Sequence, residues 1–268
     1  MNTDTKFAGS IPQIYQSHLV PMIFESYAAD LAARLAQHNP TNVLETAAGT
    51  GAVTQEIILR LAPDSHLTAT DLNQPMLDQA KQNVQDKRVS WRQADALALP
   101  FDDKSFDAIA CQFGAMFFPN RVQAYKEAKR TLTPGGRFFF NVWDRISEND
   151  FPHLIEEALA IRFSNDQPRF MSRTPHGYFE AEQIRSNLNA AGFLNISIET
   201  VSHKSKAPSP HFAAMAYCQG TPLRSEIESR APNSLEEITQ LASKTLEEKF
   251  GPGQIEGRIR ALVICAAN

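Results

Sequence analysis

The chain has 268 residues, with 26 Lys or Arg against 30 Asp or Glu, so its formal net charge is −4 at pH 7. This balance disfavours a nucleic-acid partner, because phosphate binding needs a basic face and the basic residues form no long run. The polar residues 1–6 are not followed by a long apolar run. We therefore expect neither a signal peptide nor membrane insertion.

The cysteine content indicates the redox environment of the protein. Cys111, Cys218 and Cys265 lack the spacing of a metal site, and one disulfide would leave the third thiol unpaired. Reduced thiols are typical of the cytosol, so we expect a cytoplasmic protein without a bound metal.

A helix is predicted before the first strand. Ile23, Tyr27, Leu31 and Leu35 recur at helical spacing and stop before the Asn-Pro pair at residues 39–40. The alternation of helical and strand patterns that follows favours helices on both faces of a mostly parallel sheet.

The segment 43–55 is predicted to be a buried strand, a glycine-containing turn and a helix start. The strand ends in Glu45, and the turn contains Gly49 and Gly51. Each glycine lacks a Cβ, so backbone can approach a ligand closely. Glu45 at the carboxyl end of the strand would face that ligand.

The spacing of this turn separates two cofactor classes. A dinucleotide fingerprint needs a third glycine where this chain has Thr54. The acidic Glu45 would also repel a pyrophosphate, whereas it suits a ligand with an ammonium group and no phosphate. S-adenosylmethionine is such a ligand, and a nicotinamide-dependent oxidoreductase remains the weaker alternative.

Further strands follow at regular spacing. Residues 66–73 form a second predicted strand that ends near Asp71, and residues 89–96 form a third that ends near Asp95. Residues 99–113 are predicted to be a loop and a fourth strand. A turn with the pattern L-x-P-G-G at 132–136 leads into a fifth strand that ends near Trp143.

These segments, in this order, resemble the class I S-adenosylmethionine-dependent methyltransferases, and within them the ubiquinone/menaquinone-biosynthesis-like small-molecule branch, methyltransferase type 11. The resemblance in motifs covers roughly residues 40–145. The family pattern is acidic-x-G-x-G-x-G, and this chain has Ala47 at the first glycine. The extra methyl group would lie next to the methionine part of the cofactor, and we expect it to narrow the fit.

The resemblance implies a fold and a domain plan. The fold is α/β, a doubly wound seven-stranded sheet in the order 3-2-1-4-5-7-6, with an antiparallel last strand, helices on both faces and a helical lid. We expect a single methyltransferase domain over 1–268, made of an N-terminal helical cover (1–40), a cofactor-binding core (40–145), a lid insertion (145–180) and a helical insertion before the last strand (208–250).

The resemblance also implies the cofactor contacts. Asp71 would bind both ribose hydroxyls, Asp95 the adenine amino group and the amide of Ala96 the ring, while Tyr15 would close over the cofactor. The predicted site for S-adenosyl-L-methionine, or its product S-adenosyl-L-homocysteine, comprises Tyr15, Glu45, Ala47, Gly49, Gly51, Asp71, Leu72, Met76, Asp95, Ala96 and Gln112.

For the methyl acceptor we expect a pocket that includes Phe117, Trp143, His176 and Tyr178. Each of them could instead be a packing residue, and His176 is the candidate base if the acceptor carries a hydroxyl. The function expected is in-line methyl transfer to oxygen, carbon or nitrogen of a small apolar or aromatic metabolite. A non-catalytic cofactor-binding module remains the alternative. The 208–250 helices would brace the fold, form a homodimer surface or shape the pocket.

Overall fold

The computed structural model describes residues 4, 7 and 9–268. Within them, one sheet is formed by β1 (Asn42–Glu45), β2 (His66–Asp71), β3 (Val89–Gln93), β4 (Phe106–Gln112), β5 (Leu132–Trp143), β6 (Asn195–Ala207) and β7 (Ile255–Ala267). The seven strands lie in the order β3-β2-β1-β4-β5-β7-β6 and the sheet is mixed, which confirms the predicted architecture.

The parallel register brings the ends of the central strands to one edge of the sheet. Glu45, the last residue of β1, is paired with Ala69 of β2 and Ala110 of β4. Asp71, the last residue of β2, is paired with Gln93 of β3. In open α/β sheets ligands bind outside this carboxyl edge, where the strand order reverses beside the first strand.

Twelve α- and π-helices of the described residues lie before or between the strands in chain order. They are α1 (Ile11–Ile14), a ten-residue π-helix (Tyr15–Phe24), α2 (Glu25–Ala36), α3 (Ala52–Ile58), α4 (Gln74–Asn83), α5 (Arg121–Thr131), α6 (Asp150–Arg162), α7 (Phe170–Arg173), α8 (Ala181–Ala190), α9 (Pro210–Gln219), α10 (Leu223–Arg230) and α11 (Leu235–Phe250). None of the described helices is both long and apolar enough to cross a membrane.

The chain divides into two compact units. We call the first the helical unit, Met1–Phe24, Trp143–Gly177 and Ser202–Arg260, and the second the sheet unit, Glu25–Val142, Tyr178–Val201 and Ala261–Asn268. The predicted lid segment falls in the helical unit up to residue 177. The predicted N-terminal cover is divided between the units after residue 24.

The sheet unit has a continuous apolar core. It buries two residues of the predicted helical series, Leu31 and Leu35, together with apolar side chains of α3 and the central strands. Its members are Ala28, Leu31, Ala32, Leu35, Val43, Val53, Ile57, Ile58, Leu61, Leu67, Ala108, Ala110, Phe139 and Val263.

In the helical unit, α11 packs against α9 and α6. The rings of Phe151 on α6 and Phe250 on α11 meet edge to face, with their centroids 5.3 Å apart. At the end of α9, a Cβ on Gly220 would lie 2.9 Å from Cγ2 of Ile14, so glycine allows α1 to approach.

The winding of the π-helix sets which of its side chains meet. Tyr15 and Phe24 are nine residues apart, and their rings stack at a centroid distance of 5.0 Å. Nine residues make about two turns of a π-helix, at roughly 4.4 residues per turn, but about two and a half turns of an α-helix. The ordinary helical spacing predicted from Ile23 onward applies to α2 and does not extend to the residues before it.

The turns that follow β1 and β4 are in close contact within the sheet unit. A Cβ on Gly114 would lie 2.5 Å from Cβ of Ala47 and 2.8 Å from Sγ of Cys111. Gly114 has φ −100°, which any residue adopts, so steric contact is the reason for glycine there. Ala47 has φ 54°, which is left-handed and disfavours a side chain.

We predict that Gly114→Ala destabilises the protein by about 1–3 kcal/mol, the usual cost of overpacking. Ala47→Gly should recover part of this loss in the double variant, because it removes the nearer of the two clashing atoms. Urea unfolding of both single variants and the double variant gives the coupling energy. Gly253→Ala is the control, since no atom lies within 4 Å of its added Cβ. Strictly additive effects would contradict the contact.

Candidate active site

The loop between β1 and α3 has the backbone shape of a ligand-binding turn. Gly49 has φ 58° and Gly51 has φ 89°, both in the left-handed region that glycine tolerates best. A Cβ on Gly51 would lie 3.3 Å from Cβ of Ala80, and one on Gly49 would lie 3.7 Å from Cε of Met76. Four residues of the predicted cofactor set, Ala47, Gly49, Gly51 and Met76, are therefore on or next to this loop.

Glu45 at the end of β1 is almost completely buried, with 1% of its surface exposed. Its carboxylate accepts a hydrogen bond of 2.6 Å from the hydroxyl of Thr54 in the first turns of α3. The pKa of Glu45 is raised to about 8, mainly because the group is buried; the charge of Asp71 also raises it, and the hydrogen bonds from Thr54 partly oppose these effects.

Asp71 at the end of β2 connects two loops. Its Oδ2 accepts from the backbone N–H of Gly49 at 2.9 Å, and its Oδ1 accepts from the backbone N–H of Asn73 at 2.8 Å. Burial raises the pKa of Asp71, whereas these backbone bonds lower it. Oδ1 also accepts a longer bond of 3.4 Å from Nδ2 of Asn73, whereas Oδ2 has one donor and keeps a lone pair for a ligand.

The two carboxylates have no basic partner in the described part of the chain. Their hydrogen-bond donors are hydroxyl, amide and backbone N–H groups, and no Lys or Arg of the described residues forms an ion pair with Glu45 or Asp71. A buried carboxylate is costly unless it is paired or protonated. The charge that would complete this site is therefore positive.

The remaining predicted cofactor residues of the sheet unit lie at the ends of neighbouring strands. Asp95 and Ala96 follow β3, where the exposed Asp95 accepts from the backbone N–H of Leu97 at 2.9 Å. Leu72 follows Asp71 and has 51% of its surface exposed. Gln112 ends β4, and its Oε1 accepts from Nδ2 of Asn141 at 3.4 Å.

Three further residues take part in this edge and were missed from the sequence. Thr54 holds the Glu45 carboxylate. Thr50, in the loop itself, has a buried hydroxyl oxygen without a hydrogen-bond partner among the described residues. Gly114 packs on Ala47. A glycine just after a buried strand, as in the first loop, was the signal that could have identified Gly114.

In the helical unit, four side chains form an aromatic series. The Tyr15 ring stacks on Phe24, the Phe24 ring lies 5.9 Å from that of Trp143, and the Trp143 ring lies 6.1 Å from that of His176. The structure thus brings together three of the residues predicted for cofactor or acceptor binding. The predicted closure of Tyr15 over the cofactor stays a prediction.

His176 is buried and has a defined ring orientation. Its Nδ1 lies 2.8 Å from the backbone oxygen of Asp144, which can only accept, so Nδ1 carries the proton. Burial lowers the pKa of His176 to about 4. The ring is therefore neutral at pH 7, and such a weak base is poorly suited to removing a proton from a hydroxyl group.

Tyr178 and Phe117, the other two predicted pocket residues, belong to the sheet unit. Tyr178 is fully buried, its hydroxyl is bonded to Tyr125 at 3.3 Å and Asn187 at 2.9 Å, and the Arg121 guanidinium lies 4.1 Å from its ring centroid. These contacts give Tyr178 a packing role, and its buried side chain leaves no surface for an acceptor, contrary to the prediction. Phe117 ends a short 3₁₀ turn after Gly114 and is half-buried.

Comparison with known proteins places this geometry in a family. A methyltransferase domain model matches residues 44–140. The demethylmenaquinone methyltransferase of Deinococcus radiodurans is 43% identical over 173 residues, covering 60% of this chain and 71% of that protein. The ubiquinone/menaquinone biosynthesis C-methyltransferase of Methylobacterium nodulans is 32% identical over 186 residues, covering 64% and 73%.

A solved structure supports the fold. Phosphoethanolamine N-methyltransferase 2 of Haemonchus contortus, in a complex that includes S-adenosylhomocysteine, has a TM-score of 0.59 at 16% identity and covers 97% of this chain and 56% of its own. At that identity the likeness concerns the fold alone, and the family rests on the sequence relatives. The chain belongs to the class I S-adenosylmethionine-dependent methyltransferases of the ubiquinone/menaquinone type.

Proposed function

We propose that this methyltransferase binds S-adenosylmethionine at the carboxyl edge of the sheet unit and transfers its methyl group to a small, flat, largely apolar acceptor. The observation that carries the first half is the pair of buried carboxylates, Glu45 and Asp71, which lack a cationic partner in the described residues. A sulfonium ligand that carries an ammonium group would supply the missing positive charge. A dinucleotide pyrophosphate would be repelled by the same carboxylates.

Each remaining residue of the edge has a role in this proposal. Asp71 accepts from the ribose hydroxyls, one at the lone pair of Oδ2 that Gly49 leaves unused and one at Oδ1 in place of the long bond from Asn73 Nδ2. The exposed Leu72 covers the adenine, and Asp95 accepts from its amino group. Thr54 orients the Glu45 carboxylate. Ala47 and Met76 lie against the methionine part of the cofactor. Gln112 and the amide of Ala96 contact the adenine.

When bound, the cofactor would supply a methyl group on a positively charged sulfur, and an acceptor nucleophile in line with the C–S bond would take the methyl group while the sulfur leaves as S-adenosylhomocysteine. The protein's contribution is to bind, to orient and to exclude water, because no universal catalytic side chain is required. His176 is not assigned the role of base in this proposal, since its pKa of about 4 makes it a weak proton acceptor.

The aromatic series, the net charge and the free thiols indicate the kind of acceptor and the cellular location. The aromatic series ending at Trp143 favours a flat ligand. The net charge of −4 favours a small molecule over a nucleic acid, and three free thiols support a cytoplasmic location. For α9, α10 and α11 we favour the bracing role over a homodimer surface, because α11 packs on both α9 and α6.

Isothermal titration with S-adenosylhomocysteine, and with NADH in a parallel experiment, tests the cofactor assignment. Micromolar binding of S-adenosylhomocysteine alone is expected. Transfer of radioactive methyl from S-adenosylmethionine to a panel of phenols, quinols, amines and carboxylates then identifies the acceptor. Binding of NADH alone would overturn the proposed site.

We predict that Asp71→Ala weakens S-adenosylhomocysteine binding by roughly 2–4 kcal/mol, because two charge-assisted hydrogen bonds to the ribose are lost. Isothermal titration measures the change, and the Tm of the ligand-free variant shows whether the loss of the Gly49 contact unfolds the loop. Asp78→Ala removes an exposed carboxylate from the adjacent α4 and is the control. Equal affinity of Asp71→Ala and the unchanged protein would refute the ribose assignment.

We predict that S-adenosylhomocysteine binding tightens as the pH rises from 6 to 7.5. Glu45 is largely protonated in the free protein, since its pKa is about 8. The ligand's ammonium group favours the ionised carboxylate and lowers that pKa, so binding releases a proton. The association constant therefore rises by up to about tenfold per pH unit.

Titrations in phosphate and in Tris, whose ionisation enthalpies differ, measure the proton released. Glu45→Gln should remove both the proton release and the pH dependence. Glu56→Gln, on the half-buried surface of α3, should keep them. Persistence of the proton release in Glu45→Gln would assign it to another group.

A further inference from the structure

His176 combines burial with an unused hydrogen-bonding atom. The residue is 4% exposed, and its Nδ1 is bonded to the backbone oxygen of Asp144. Nε2 has no hydrogen-bond partner among the described residues. Because Nδ1 carries the proton, Nε2 presents a lone pair and can only accept. The residue as a whole is buried, but Nε2 is not one of the fully buried atoms that lack a partner, so this atom is open to solvent and a bound molecule can contact it.

The ring is positioned by the residues around its anchor. The Asp144 backbone oxygen also accepts from Nδ2 of Asn149 at 3.3 Å, and the Asp144 carboxylate accepts from Nε of Arg260 at 2.6 Å. The backbone N–H of Asp144 donates to the carbonyl of Arg260 at 3.0 Å. The oxygen that holds His176 is therefore fixed on several sides, and the ring cannot turn without losing a buried hydrogen bond.

The backbone of His176 is constrained as well. Its N–H donates to the carbonyl of Met171 at 2.9 Å. A Cβ on the next residue, Gly177, would lie 2.1 Å from the carbonyl oxygen of Arg173, so only glycine permits this close turn. Both the main chain and the ring are thus held in place, which is typical of a residue that presents an atom to a ligand.

The neighbours of the ring suggest the kind of ligand. Trp143 lies 6.1 Å from His176, and Phe24 and Tyr15 continue the aromatic series within the helical unit. Aromatic side chains favour flat rings with offset or tilted faces. A flat ligand with one hydrogen-bond donor would match both the series and the lone pair of Nε2.

We propose that His176 Nε2 accepts a hydrogen bond from a hydroxyl or N–H group on a flat aromatic ligand, and that this residue selects methyl acceptors which carry such a donor. The proposal rests on the proposed function for the identity of that ligand as the acceptor. His176 is a specificity-determining residue in this role, and it stays neutral across the assay range because burial keeps its pKa near 4.

A pair of probes that differ only in the donor tests this role. 2-Naphthol has a hydroxyl, and 2-methoxynaphthalene has the same rings without a donor. Binding of each to the protein saturated with S-adenosylhomocysteine is measured by isothermal titration. The unchanged protein should prefer 2-naphthol by roughly tenfold, as expected for one net hydrogen bond.

Variants of His176 separate the role of Nε2, which would contact the ligand, from that of Nδ1, which is bonded to Asp144. His176→Asn keeps an amide donor that can reach Asp144 but withdraws the acceptor at Nε2, so the probe preference should fall to about one. His176→Gln can place an amide oxygen near the position of Nε2 and should recover part of the preference. His153→Asn changes an imidazole on α6 in the same unit, 3.5 Å from Glu157, and should leave the preference intact.

The ¹⁵N signal of Nε2 provides a second readout that packing alone would not affect. It should shift on addition of 2-naphthol and not on addition of 2-methoxynaphthalene. An unchanged preference in His176→Asn, a preference of one in the unchanged protein, or binding of neither probe would each overturn the proposal. Binding of S-adenosylhomocysteine is measured in the same samples, so failure of the cofactor site is seen separately.

Discussion

Two carboxylates buried at one edge of a parallel sheet are the constraint on which the site depends. Asp71 accepts from the backbone of Gly49 and of Asn73, so it ties the first loop to the end of β2. Among the described residues, the Thr54 hydroxyl is the only side-chain donor to Glu45. Taking two charges out of water costs several kcal/mol per ion when they are unpaired. The fold tolerates this cost by protonation or by a cationic ligand, and the S-adenosylmethionine cofactor of this family is cationic.

The close contact between the first and fourth strand ends accounts for the departure from the family pattern. Ala47 occupies a position where the family has glycine, and it is held at a left-handed φ of 54°. Its methyl group leaves no space for a side chain on Gly114. The glycine that is missing from the turn after β1 thus has a counterpart, Gly114, in the turn after β4. The two turns approach each other with one Cβ between them instead of two.

In the helical unit, an unusual backbone winding determines which side chains meet. The π-helix puts Tyr15 on the same side as Phe24, from which the aromatic series continues to Trp143 and His176. Long π-helical segments are rare and are frequently found at functional sites, because their hydrogen bonding is less favourable than that of an α-helix. The cost of this winding is consistent with a binding role for the aromatic series.

The sequence by itself determined the carboxyl edge at which we propose that the cofactor binds, because that edge is built from local signals. A strand, a left-handed turn and a helix start are each specified by neighbouring residues, so Glu45, Gly49 and Gly51 could be placed from their spacing. The carboxyl ends of parallel strands meet by register, which brought Asp71 and Glu45 to one edge once the strand order was inferred from the family resemblance.

Only the tertiary structure decided the contacts between residues that are distant in the chain. Tyr178 was predicted for the pocket but is bonded to Tyr125, 53 residues away. The anchoring of His176 by Asp144 over 32 residues has no local pattern either. A side chain's partners across such separations depend on packing, whereas periodicity reports only the face of one element. The π-helical winding was hidden for the same reason, since its apolar residues also fit an ordinary amphipathic helix.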